Sequence, residues 1–332
     1  SGSPECLALF GSFPSGFDLL AGTSGAQAAV VQSAPPAVLG LDLTASPPVL
    51  LAQGAIPPLF PGGDSDGDGI GDGLLSNALG FGFRTPLLGQ LAGAAPDLTL
   101  LSTTNYEQVA FVDPTTGESV EFRVETPPSF EAGAWPFLPA PGTSALRTAV
   151  STRACVELPG ALDSRGDPVG SDARCPPTAS GSSFVTTLTA GSTVIGGRLF
   201  VATSNLASSA QARFDPATVL VFDFDRTTSP PTVRPDAVTP VLATTGFNAT
   251  QVTPHTTSDG RELVLVTQTG AIGAGTGAGN VVGDAAVDVI DVGTLRVVAT
   301  IPLGLAGPSF EPIAIDASGR VGLLGSTSEK VL

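Results

Sequence analysis

Residues 62–73 read GGDSDGDGIGDG, with Asp64, Asp66 and Asp68 at alternate positions, Gly69 next and Asp72 following. Calcium is a hard cation that gathers about six to eight oxygens, and alternating short carboxylates in a tight loop turn theirs toward one centre. The glycine at the sixth loop position permits the sharp bend. Counted from Asp64, Asp72 is the ninth position and the Ile70 carbonyl the seventh, so the candidate calcium ligands are Asp64, Asp66, Asp68, Ile70 and Asp72. The twelfth position, where the helix-flanked form of this loop carries a bidentate Glu, is Leu75. Water or a distant carboxylate would complete the shell, and the expected affinity is weak, on the order of 10⁻⁴ to 10⁻³ M. Four clustered carboxylates repel one another without a cation, so the ion's expected role is to order the segment, not to catalyse. The alternative is a solvated acidic hinge.

Elsewhere the chemistry is sparse. His255 is the only histidine, so a serine–histidine–aspartate triad or a histidine zinc site would rest on it alone. A structural histidine is the expected reading. Glu311, Asn248 and Asp316 are of the types that hold calcium in lactonase propellers, but spacing does not bring them together. The Gly-rich stretch Thr269–Ala286 lacks G-x-G-x-x-G in a strand-to-helix setting and reads as a hairpin tip. FNAT at Asn248 is an N-x-T sequon, a pattern with frequent false positives. Among the three cysteines, Cys155 and Cys175 flank a polar loop and are expected to pair. Cys6 is left over; SPEC lacks the small and apolar residues that precede a lipidated cysteine, and an intermolecular bond is an equal alternative.

The elements that position these residues are expected to be strands. Gly and Pro number 41 and 30 in 332 residues, which disfavours long helices, and the remainder is rich in Val, Leu, Thr, Ala and Ser. No apolar run reaches the roughly 18 residues of a membrane span. The net charge of −16, with Lys330 the only lysine, makes nucleic acid a poor partner. With no initiator Met and no charged-then-apolar leader, the chain reads as a processed product or fragment.

An apolar run closing on Asp recurs: VLGLD at Asp42, VAFVD at Asp113, VLVFD at Asp223 and VDVID at Asp291. Each is preceded by a second apolar strand (AAVVQS, LTLLST, RLFVATS, ELVLVTQ) and followed by a third (PVLLAQ, ESVEFRVE, TPVLATT, LRVVATIPLG). The aspartates are expected to cap the intervening turns through Asx-type hydrogen bonds. Repeated four-stranded antiparallel units with nearly continuous apolar strands imply a β-propeller, whose neighbouring blades cover both faces of each sheet. A β-sandwich, with cleaner alternation, is the alternative. Aligning the final VL with Val219 and Leu220 sets the next Asp just past the last residue, so a fifth unit is expected to be incomplete at the C-terminus.

The last full unit, AVDVIDVGTLRVVATIPLGLAGPSFEPIAIDASGR, resembles the YVTN-type β-propeller repeat through Ile290–Asp291, Val297–Gly304, Gly307–Pro308, Ile313–Asp316 and Gly319–Arg320. GRLFVATSN and SDGRELVLVTQ resemble its second half, with Phe200, Leu265 and Leu323 in place of the signature tyrosine. The likeness is good over 190–332 and loose over 26–126. The acidic loop resembles those of thrombospondin type 3 repeats. The repeat family implies a secreted, periplasmic or surface location in prokaryotes. The fold class expected is thus all-β, a propeller of four-stranded antiparallel blades with insertions at 61–75 (the calcium loop) and 126–188 (the Cys155–Cys175 loop and Trp135, a surface excursion). The expected function is an envelope scaffold or binding module for a protein or polysaccharide. A calcium-dependent lactonase-type enzyme and a subunit of a larger envelope or filament assembly are the alternatives.

Overall fold

The computed structural model describes residues 14–20, 27–33, 36–55, 86–91, 99–103, 107–208, 213–272, 281–282, 285–304, 312–316, 318–319 and 322–324. All regular structure in them is β-strand. Strands β1 (Pro14–Leu20), β2 (Gln27–Ser33), β3 (Pro36–Asp42) and β4 (Val49–Ala55) form a four-stranded antiparallel meander. β5 (Pro86–Leu88) and β6 (Gln90–Leu91) lead to β7 (Thr99–Thr103) and β8 (Gln108–Val112). β9 (Phe122–Glu125) pairs with β10 (Ser144–Arg147), and β11 (Ala149–Ser151) completes a second sheet, ordered β5-β7-β8-β11. β12 (Cys155–Glu157) pairs with β13 (Ser183–Val185). β14 (Thr189–Ile195) and β15 (Arg198–Thr203) precede a short hairpin of β16 (Leu206–Ser208) and β17 (Arg213–Phe214). With β18 (Pro216–Asp225), β19 (Thr232–Pro235) and β20 (Val241–Phe247) the chain builds a third meander, β14-β15-β18-β20. β21 (Ala249–Thr256), β22 (Glu262–Gln268), the hairpin β23 (Ala271–Ile272) with β24 (Val281–Val282), β25 (Ala285–Asp291) and β26 (Arg296–Gly304) supply a fourth, β21-β22-β25-β26. β27 (Ala314–Ile315) and β28 (Gly322–Leu323) form a last pair.

The sheets stack face to face in chain order. Val38 of the first meets Leu101 and Val112 of the second. Between the second and third lie Val109, Phe111, Leu199, Val201, Leu220 and Phe222. Between the third and fourth lie Phe200, Ala202, Val219, Val221, Val264, Val266 and Ile290. The third sheet therefore buries alternate residues of the same strands on opposite faces, unlike the one buried face of each sheet in a two-sheet sandwich. This explains its nearly unbroken apolar strands. The first strands of successive meanders also converge, β1 on β5, β5 on β14 and β14 on β21. Gly191 of β14 is required there, because a Cβ would stand 2.7 Å from the Gln251 Cα of β21. Among the described residues no sheet closes into a barrel.

Three expectations need correction. ESVEFRVE does not complete the second sheet. Ser119 bridges to Val112, but the chain then leaves, and β9 pairs with β10 and, in parallel, with β19, which pairs with β18, so that β19, β9 and β10 extend the third sheet. Leaving lets Phe122 and Val124 enter the core between the second and third sheets, where Phe122 meets Phe111 edge-on at 5.5 Å. β11, from within 126–188, takes the vacated edge. Trp135, expected on the surface, is buried against Phe222 with ring centroids 5.6 Å apart. The third correction concerns the turns.

Asp42 Oδ1 accepts the Thr44 N–H and hydroxyl at 2.8 and 2.6 Å, Asp113 those of Thr115 at 2.7 and 2.6 Å, and Asp291 those of Thr294 at 2.8 Å each. In the third meander the cap is Asp225, accepting from Thr227 at 2.8 and 2.7 Å, and not Asp223. β18 runs two residues further, and Asp223 instead faces Arg234 at 3.1 Å and Arg198 at 3.8 Å. The threonine bonds hold the Asp42 and Asp225 carboxyls below the usual 3.8, and Arg261 with Thr294 does so for Asp291. A depressed folded-state pKa stabilises above the unfolded value and is lost as pH falls through the folded one. NMR titration of these three carboxyls is expected to give midpoints below 3.8, with the Thr44, Thr227 and Thr294 amide signals moving in step. A midpoint at or above that value contradicts the capping assignment.

Candidate functional site

In a meander, connections from second to third strand, and those leading to the next sheet, leave from one end; the Asp-capped turns lie at the other. Two excursions of the first end, 152–188 and the β16–β17 hairpin, enclose a cleft of about 350 Å³. Its walls carry Asp172 and Arg174 on one side, Arg213 and Asp215 on the other, with Phe184 and Leu206 between.

Local chemistry sets each wall. Asp163 accepts the N–H groups of Arg165 and Asp167 at 2.9 and 3.0 Å, closing a tight loop with Gly166 at φ +84°. That loop docks on β17: Ser164 N–H donates to the Phe214 carbonyl, and Phe214 N–H to Ser164 Oγ, at 2.8 and 2.9 Å. Phe214 is buried, whereas Arg213 at the start of β17 and Asp215 in the link to β18 both line the cleft. On the opposite wall Asp172 holds Arg174 through Nη2 at 2.7 Å and Nε at 3.0 Å. Burial raises the Asp172 carboxyl, and its bonds to the Arg174 side chain and N–H outweigh that and lower it.

Asp215 is different. Burial pushes its carboxyl up to about 6, Arg213 pulls back, and Asp163 and Asp172 push further. No hydrogen bond contributes to holding it ionised. Arg213 Nε is buried, stands 3.5 Å from Asp163 Oδ2 and has no hydrogen-bond partner among the described residues. The cleft thus juxtaposes an acceptor without a hydrogen bond to hold it and the guanidinium of Arg213, whose side chain pairs with Asp163 and is 38% exposed.

Two devices brace it. Cys155 and Cys175 stand at disulfide distance, with Cα atoms 5.6 Å apart, as their spacing predicts. A bond across a separation of 20 residues contributes about 3 kcal/mol on the chain-entropy model. Beneath the cleft Glu107 and Arg153 form a buried ion pair, their side chains 8% and 2% exposed. Arg153 stacks over Phe137 at 5.2 Å, and Glu107 Oε1 accepts the Leu188 N–H at 3.3 Å, next to the cleft residue Thr187. Burial raises the Glu107 carboxyl, and Arg153 holds it back.

Sequence reasoning missed this site. The available signal was charge density: residues 153–174 hold seven charged residues in 22, in a chain only 13% charged. Asp64, Asp66, Asp68, Ile70, Asp72, Cys6 and Glu311 lie outside the described residues. His255 is half-buried in β21, opposite Leu263. The sequon residue Asn248 is buried, at φ +54°, and its amide donates to Thr269 Oγ1 at 2.6 Å. Asp316 accepts from Ser318 at 2.6 Å in the following segment. Among the described residues, no three acids, histidines or cysteines are arranged as a metal site, and no helix is long and apolar enough to cross a membrane. No protein-family model matches the chain, and no curated protein matches it.

Proposed function

We infer that the chain is a binding module of propeller-type blades, acting outside the cytoplasm at a cell envelope, and that the cleft between the 152–188 excursion and the β16–β17 hairpin receives its protein or polysaccharide partner. The observation that carries this reading is the open Arg213–Asp215 pair in a cleft braced by a cystine and a buried ion pair. Charged groups whose hydrogen bonds are left incomplete are costly to bury, so they mark a surface suited to contact. The converging first strands and the two-faced third sheet support the propeller reading, and the disulfide supports an oxidising compartment. The aspartate order at 64–72 supports a structural calcium ion in that segment.

Ala207 lines the cleft and is exposed, so Ala207→Trp obstructs the cleft without touching a core. The intact chain is expected to co-sediment with bacterial envelope fragments, and A207W to lose that retention about tenfold, a change of about 1.4 kcal/mol. Equal retention of both proteins removes the cleft from the interaction. Native mass measured with and without a chelator reads the calcium directly.

A further inference from the structure

The chemistry of the two open groups narrows the partner. Resting on the cleft as the interaction site, we propose that it takes a neutral polysaccharide, one hydroxyl of a sugar diol donating to the Asp215 carboxylate while its neighbour accepts from the Arg213 guanidinium.

The charges in the cleft exclude simpler partners by repulsion. A cationic side chain approaching Asp215 meets Arg213 and Arg174. An anionic group approaching Arg213 meets Asp215, Asp172 and Asp163. A neutral group offering a donor and an acceptor side by side meets both the Asp215 carboxylate and the exposed part of the Arg213 guanidinium and adds no net charge. Adjacent sugar hydroxyls do this, since each O–H both gives and receives a hydrogen bond. Arg213 and Asp215 lie two residues apart in the chain and line the same cleft, so they present a donor and an acceptor to one ligand. Arg174 is already held by Asp172, which fixes the opposite wall instead of competing for the ligand. The volume of about 350 Å³ falls at the small end of ligand pockets, suited to one or two sugar rings of a longer chain.

Affinity is expected to depend on pH through Asp215. The groups facing it are Arg213 on its own segment, Asp163 on the loop docked against β17, and Asp172 with its partner Arg174 on the opposite wall. The ionised carboxylate accepts hydroxyl hydrogens more strongly than the neutral acid. Binding of an uncharged glycan should therefore weaken as pH falls through about 6.

Affinity electrophoresis of the intact chain through gels containing dextran, mannan or xylan tests this, with polygalacturonate and polylysine as charged comparisons. Retardation by at least one neutral glycan at neutral pH is expected. Asp215→Asn and Arg213→Gln should each weaken it about tenfold or more, measured well below each variant's own unfolding midpoint, as expected for lost hydrogen bonds to charged groups. Retardation only by a charged polymer, or by none, overturns the glycan assignment. So does neutral-glycan retardation that both variants retain. If A207W still loses envelope retention in those cases, the cleft stands as the interaction site with a different partner; if it does not, both readings fall.

Discussion

Replacing Arg153 with Leu is expected to destabilise the protein by about 3–5 kcal/mol, because it leaves a buried carboxylate without its counter-charge. The Glu107 side chain is 8% exposed, and its neighbours offer one backbone N–H, from Leu188, besides the arginine. That single bond does not replace the hydration lost on folding. The double variant Glu107→Leu with Arg153→Leu should lose less than half as much, since removing both charges removes the desolvation cost with the attraction. The sign of the pH dependence follows from burial. A carboxyl raised above its unfolded value of 4.5 stabilises the fold most below that value, and the contribution is lost as pH rises through the folded pKa. The Arg153→Leu deficit is thus larger at neutral pH than at pH 4.5. Urea unfolding at both pH values measures it. Equal losses in the single and double variants contradict a role for charge. The pair is also expected to matter for the cleft, because Leu188 and Thr187 are held from beneath by Glu107.

Phe200→Ala and Phe222→Ala are each expected to cost about 3–5 kcal/mol, the range for deleting a buried aromatic ring. The two residues sit on paired strands of the third sheet and point to opposite faces. Phe222 packs in the cluster shared with the second sheet and Phe200 in the cluster shared with the fourth. Both are fully buried. Because the cavities open in different clusters, the double variant should lose nearly the sum, within about 0.5 kcal/mol. In a sheet with one solvated face, one of the pair would be nearly neutral. Denaturant unfolding of the three variants therefore tests the stack itself, independently of any ligand.

Several features could be read from the chain because their causes are local. RLFVATS, VLVFD and ELVLVTQ are strands because β-branched and aliphatic runs bounded by turn residues favour a pleated, buried surface. Asp-capped turns arise because a short carboxylate reaches amides two or three residues on. Even here the pattern misplaces one cap: Asp223 and Asp225 are both acids of the same alternating strand, and only the length of its pairing with β19 decides between them. ESVEFRVE shows the same limit more strongly. Its alternation says that Phe122 and Val124 point inward, and it does not say into which sheet.

Sequence alone thus determined the all-β character, the repeat of apolar strands and most of the turn chemistry, all governed by neighbours in the chain, while the pairing of Cys155 with Cys175 was an expectation that the structure places at disulfide distance. Tertiary structure decided which edge β9 and β11 occupy and that Glu107 meets Arg153 across 46 residues. It also decided that Arg213 and Asp215 face Asp172 and Arg174 over one cleft. The physical reason is that burial and Coulomb energies depend on distance in space, and those distances exist only once the sheets have stacked.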